Sequence, residues 1–183
     1  MTDVANNLSA KFNDLWKKID SEISHVDFRR EEDITKMSYS DLLLYVKKDN
    51  VTQFLEKMKN NKVLDFNYLR CLTAIDLQGD GIEIVYQLYS LKHKYNVTIK
   101  TTLQNDDLTI DTITNIWRAA NWHEREVSEM FGVTFNNHPD PRNLLMPEDI
   151  NDSFPLRKSH PLAEIEILQG EGIDPSIVDG ENK

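Results

Sequence analysis

A chain of 183 residues is long enough for one domain that buries a core without disulfides or a structural metal. Its 21 Lys and Arg against 31 Asp and Glu leave a formal net charge of −10, which argues against a nucleic-acid binder and against a polybasic membrane anchor. The single cysteine, Cys71, excludes an intrachain disulfide, and it excludes a four-cysteine iron–sulfur cluster or a Cys-rich zinc site held by this chain alone.

No apolar run approaches the ~18 residues of a membrane span. Met1 to Ala10 has no basic stretch followed by an apolar one, so no signal peptide is expected. Over residues 3–19, Val4, Leu8, Phe12, Leu15, Trp16 and Ile19 recur at helical spacing and predict an amphipathic helix. Weak alternation at Ile23, Val26 and Phe28 suggests strand within 21–40. Leu42 to Val46 reads as a short buried strand. Asp49 or Asn50 can cap a helix over Val51 to Lys59, with Phe54, Leu55 and Met58 inward and Asn60-Asn61 at its end.

The middle third reads as strands. Tyr68 to Leu77 is apolar and β-branched, and Gln78-Gly79-Asp80-Gly81 is a turn signal. Ile82 to Leu91 and Asn96 to Leu103 follow. Their links are too short for parallel crossovers, so an antiparallel meander is expected. Asp111 then caps a predicted helix whose apolar stripe is Ile113, Ile116, Trp117, Ala120, Val127, Met130 and Phe131, and Gly132 ends it. The expected fold class is α+β, a mostly antiparallel sheet with helices packed on one face.

All six prolines lie beyond residue 138, at Pro139, Pro141, Pro147, Pro155, Pro161 and Pro175. Regular helix and central strand are therefore excluded there. Phe135, Leu144, Leu145, Met146, Phe154 and Leu156 make the stretch too apolar for a free linker. Residues 1–132 thus read as the α+β domain and 133–183 as an extended C-terminal arm. The arm packs either along another protein or over its own sheet, and the two can hold together.

Several polar residues could carry chemistry. His123-Glu124 opens like a zinc-protease helix motif, but the second His, four residues after the first on the same face, is replaced by Val127. The spacing of Arg125, Glu126 and Glu129 favours a solvated or interface-facing ladder of ion pairs over catalysis. A stand-alone enzyme using His123 with Glu124 or Glu126 as an acid/base pair is the alternative. His138, Arg142, Arg157 and His160 punctuate the arm, where a cation can pair with a carboxylate across an interface or simply decorate the surface. No phosphate-cradling Gly-rich loop is present. Cys71, inside an apolar run, is expected to be buried and inert, and Trp117 and Trp122 to be core or interface aromatics.

The run from Glu124-Arg125-Glu126 through Glu129, Met130-Phe131-Gly132, His138 and Arg142 to Leu144-Leu145-Met146-Pro147 resembles the signature of the 30 kDa subunit of respiratory complex I. That family has bacterial members in NADH-quinone oxidoreductase and cyanobacterial and plastid members in NAD(P)H-quinone oxidoreductase. Leu72 to Asp76, Val85 to Leu88, Ile116 to Trp122 and Phe154-Pro155-Leu156-Arg157-Lys158 are similar to further family elements, so that about residues 40–162 are covered. Glu129 stands where Asp is usual. Pro141 and Asn143 flank Arg142 where Leu and a basic residue are common. These departures bear on the branch, because energy-converting hydrogenases and archaeal deazaflavin-linked dehydrogenases carry similar subunits.

The resemblance implies a cofactor-free structural subunit in the peripheral arm of an ion-translocating oxidoreductase. It would dock on the large, hydrogenase-like quinone-site subunit, with membrane-bound energy-converting hydrogenase as the alternative setting. Iron–sulfur clusters, and flavin where present, would belong to partner subunits. Membrane contact would come only through the complex, on the cytoplasmic side. No catalytic, cofactor-binding or metal residue is expected in the chain itself. Glu124, Arg125, Glu126, Glu129, His138, Arg142 and Arg157 are the expected interface or structural signature.

Overall fold

The computed structural model describes residues 2–31, 42–147 and 153–160. Helix α1 (Thr2–Ile23) leads through a turn to β1 (Phe28–Arg30). β2 (Leu42–Val46) runs through the extended Lys47 into α2 (Lys48–Asn60). β3 (Tyr68–Asp76), β4 (Ile82–Ser90) and β5 (Tyr95–Leu103) follow, then the short β6 (Thr109–Asp111), α3 (Ala120–Phe131) and β7 (Thr134–Asn136).

The expected meander is present: β3, β4 and β5 pair antiparallel in sequence order. β2 adds to β5 in parallel and β1 adds to β2 antiparallel, giving the order β1-β2-β5-β4-β3. The fold is therefore α+β with a mostly antiparallel sheet. Alternate residues decide its two faces. Ile82, Ile84, Tyr86 and Leu88 of β4 join Val97, Ile99 and Leu103 of β5 and Leu42, Leu44 and Val46 of β2 in one core with Leu15, Ile19, Phe54, Leu55 and Met58 of the helices. The opposite face is polar at its centre, where Lys100 donates to Glu83 at 2.6 Å. Trp16, Phe28 and Phe54 pack in series, edge-to-face and tilted, with ring centroids 5.4 and 4.8 Å apart, and tie α1 and β1 to α2.

Turn chemistry sets the strand ends. Gly81 has φ +100°, and a Cβ there would lie 2.0 Å from the Leu103 carbonyl oxygen, so only glycine closes the β3–β4 turn against β5. α2 begins at Lys48 rather than at a side-chain cap on Asp49 or Asn50, because β2 feeds it directly and Lys47 makes no capping hydrogen bond. Asp49 sits instead in the first turn, where the helix dipole favours an acid. Among the described residues of 21–40, strand forms only at β1; residues 32–41 lie outside the described residues, and Ile23 ends α1.

The larger correction concerns α3. The helix expected from Asp111 starts at Ala120. Asp111 belongs to β6, which pairs in parallel with β7 across the whole of α3. Ile113, Trp117 and Ala120 are buried as expected, but Ile113 and Trp117 sit in the turns between β6 and the helix. Cys71 is half-buried rather than buried, and burial raises its thiol above the usual range.

Candidate functional site: the clasp between α3 and the C-terminal arm

α3 lies against β3, at the edge of the sheet. Its inward stripe is Ala120, Glu124, Val127 and Phe131, so a carboxylate occupies a position that periodicity assigns to the core. Glu124 is fully buried. One carboxylate oxygen accepts the Ile113 N–H at 2.8 Å and the other accepts the Thr112 hydroxyl at 2.5 Å. These two bonds hold the exit of β6 and explain why the chain turns there instead of continuing as helix. Burial pushes the Glu124 carboxyl up to about 7, against the pull of both hydrogen bonds.

Residues 137–147 return along α3. Asn137 takes a positive φ of 61° and turns the chain out of β7. His138 then points inward, with its Nε2 3.2 Å from the Asn121 carbonyl oxygen and 3.7 Å from the Glu124 carboxylate. Its Nδ1 accepts the Asp140 N–H at 3.1 Å, which assigns the ring proton to Nε2. A small cavity of about 60 Å³ lies beside this pair, lined by Glu124, Ser128, Phe135 and His138 among others.

Arg125 and Glu129 grip the backbone of the same stretch. The Arg125 guanidinium donates to the carbonyls of Arg142 and Asn143, both at 2.7 Å, and lies 3.6 Å from Asp140. Glu129 is only 6% exposed. Its carboxylate accepts the consecutive N–H groups of Leu144, Leu145 and Met146 at 2.9 to 3.2 Å. Successive N–H groups of this kind form a concave anion site, and here an internal carboxylate fills it. Arg142 pairs in bidentate fashion with Asp140, at 2.7 and 2.9 Å, and holds the Asp140 carboxyl down at about 2.

A second piece of the arm, 153–160, closes the C-terminal end of α3. Leu156 N–H donates to the Met130 carbonyl at 3.2 Å, and Arg157 Nε donates to that of Phe131 at 2.7 Å. Both carbonyls are among those a helix end leaves without partners. The Arg157 guanidinium stacks on the Phe154 ring at 4.5 Å. Lys158 N–H donates to Asp76 at the end of β3, at 2.8 Å, and this bond keeps the Asp76 carboxyl below the ordinary range.

The structure therefore brings Glu124, Arg125, Glu129, His138, Arg142 and Arg157 together around one helix. The solvated or interface-facing ladder expected of Arg125, Glu126 and Glu129 does not form between Arg125 and Glu129: Glu129 accepts the backbone N–H groups of 144–146, and Arg125 engages the returning backbone and Asp140. Glu126 stays exposed on the outer side of α3, where it lines an open groove with His123, Trp122, Arg118 and Leu144. Trp117 is in the core and Trp122 is exposed. His160 takes part through its backbone N–H, which bonds Arg157. Thr112, Asn121 and Asp140 were not singled out by sequence reasoning. Only Asp140, two residues before Arg142, carried a local signal. Among the described residues, no group of three or more His, Cys, Asp or Glu side chains could hold a metal.

Residues 44–166 match the family described as respiratory-chain NADH dehydrogenase, 30 Kd subunit. The chain belongs to that family. A subunit of NADH-quinone oxidoreductase from Chloroherpeton thalassium is 39% identical over 110 residues, which cover 59% of this chain and 45% of that protein. The chain thus spans less than half the length of that relative. The corresponding NADH-quinone oxidoreductase subunit from Geobacter metallireducens is 36% identical over 138 residues, covering 74% of this chain and 80% of that one. The fold is similar to that of a chain in the membrane-bound sulfane sulfur reductase, an archaeal respiratory membrane complex. The TM-score there is 0.69 at 24% identity, with 94% of this chain and 96% of that chain covered. Among the described residues of this 30 kDa-family chain, no helix is long and apolar enough to cross a membrane.

Proposed function

We propose that this chain is a structural subunit, without a cofactor or active site of its own, of a complex I-like, ion-translocating oxidoreductase. It would sit in the peripheral arm on the cytoplasmic side of the membrane and dock on the large, hydrogenase-like quinone-site subunit. Iron–sulfur clusters, and flavin where present, would lie in partner subunits. Residues 1–132 form the bracing domain in this reading, and 133–183 form the arm that follows the partner. Residues 161–183 lie outside the described residues.

One observation supports this reading beyond family membership. The polar groups of the signature are engaged by the chain's own backbone: Glu124 by Thr112 and Ile113, Glu129 by residues 144–146, Arg125 by 142 and 143. A motif used in this way shapes the arm, which is what an assembly subunit needs. The test is affinity capture of the full chain from mildly solubilised membranes, with mass spectrometry of what accompanies it. Recovery of a large hydrogenase-like subunit together with iron–sulfur subunits is expected. Recovery of the chain alone, with turnover that depends on His123 and Glu126, would replace this reading by the acid/base enzyme.

A further inference from the structure

Two large apolar side chains stand in solvent on the outer side of the clasp. Trp122 is 68% exposed and Leu145 is 65% exposed. Trp122 borders an open groove lined by Arg118, Ala119, His123, Glu126 and Leu144. Leu145 is the next residue along the arm. Arg118, four residues before Trp122, is exposed, and its guanidinium has no ion pair or hydrogen bond among the described residues.

The clasp accounts for their assembly into one face. Glu129 binds the N–H groups of 144–146, Leu144 lines the groove, and the Leu145 side chain beside it is left exposed. Because Arg125 and Glu129 are used inward, the surface above them presents indole and leucine. A lone exposed leucine needs no explanation, but a tryptophan and Leu144 around one groove, with exposed Leu145 next in the chain, do. Trp and Arg are also the side chains that most often dominate interface energies once desolvated.

We propose that this face docks a protein partner from the same complex. The partner would offer an apolar pocket for Trp122 and Leu145, with a carboxylate at its rim for Arg118. The inference rests on the reading of the chain as a complex subunit. Charge complementarity selects the occupant. An unpaired guanidinium beside the indole calls for a carboxylate. The chain's net charge of −10 opposes both self-association and an anionic lipid surface.

The experiment is affinity capture of the full chain from mildly solubilised membranes, with the co-purifying large subunit quantified for wild type and variants. Trp122→Ala, Leu145→Ser and Arg118→Glu should each lower its recovery about tenfold, with unchanged thermal melting because all three side chains are exposed. Arg118→Lys should retain recovery. Leu91→Ala, at an exposed position on the β4–β5 turn, should leave it unchanged. Wild-type recovery in the first three variants overturns the docking face while leaving complex membership in place. Absence of any partner subunit with the wild-type chain overturns complex membership itself. Loss of self-association in the variants assigns the face to a second copy and also overturns the proposal.

Discussion

Glu124 occupies a core position of α3 that an aliphatic residue would ordinarily fill, and its chemistry follows from that. Burial raises its carboxyl from 4.5 to about 7 in the folded chain. The folded state therefore holds a proton that the unfolded state has already lost. The resulting stability is fully present below about pH 4.5 and is lost as pH rises through about 7, an effect of about 3 kcal/mol. His138 and Tyr86 are the titratable groups that face the site from the arm and from β4. Asp76, Asp107 and Asp140, held low by their partners, act in the opposite sense, losing their contribution as pH falls below the usual carboxylate range. Glu124→Gln should abolish the decline between about pH 4.5 and 7 while keeping acceptance from Ile113. Urea midpoints across that range check it, and an unchanged slope in the variant would sink the assignment. The residue was visible in the sequence as part of a charged run. Its burial was not, because Thr112 and Ile113 meet it only when β6 has paired with β7 on the far side of the helix.

Elements built from local signals were legible. The alternation in β5, the Gly79 and Gly81 turn and the Phe54, Leu55 and Met58 spacing of α2 each depend on residues a few positions apart. The start of α3 was not legible, since Ile113, Ile116, Trp117 and Ala120 mimic a helical stripe while serving a turn-rich core segment. What ends α3 was legible in part. Gly132 was expected as the stop, and its φ of +72° bears that out. The arm's use of it was hidden: a Cβ at 132 would meet Arg157 Nη2 and Phe154 Cζ, each at 2.7 Å. Gly132→Ala should therefore destabilise by at least ~1–2 kcal/mol from the left-handed backbone alone, with the Phe154–Arg157 segment displaced as well. A melting temperature equal to wild type would contradict this account of the α3 terminus.

At the scale of the molecule, the proline-containing stretches 137–147 and 153–160 find their course by giving backbone groups to side chains of α3 and β3. The carbonyls of 142 and 143 go to Arg125, the N–H groups of 144–146 go to Glu129, and the Lys158 N–H goes to Asp76. Proline-rich stretches cannot satisfy themselves by a helix or sheet ladder, so external partners of this kind are required wherever the backbone is buried. The sequence placed these motifs in the right family but not in contact, because Asp76 and Lys158 are 82 positions apart and only the tertiary fold joins them. The central claim is that the signature acts inward, fastening the arm to the domain. Hydrogen–deuterium exchange of the full chain tests it most directly, comparing wild type with Glu129→Gln. The amides of Leu144, Leu145 and Met146 should lose about tenfold or more of their protection, as expected for hydrogen bonds to a charged acceptor, while β4 amides keep theirs. Equal protection of residues 144–146 in both proteins would contradict the clasp.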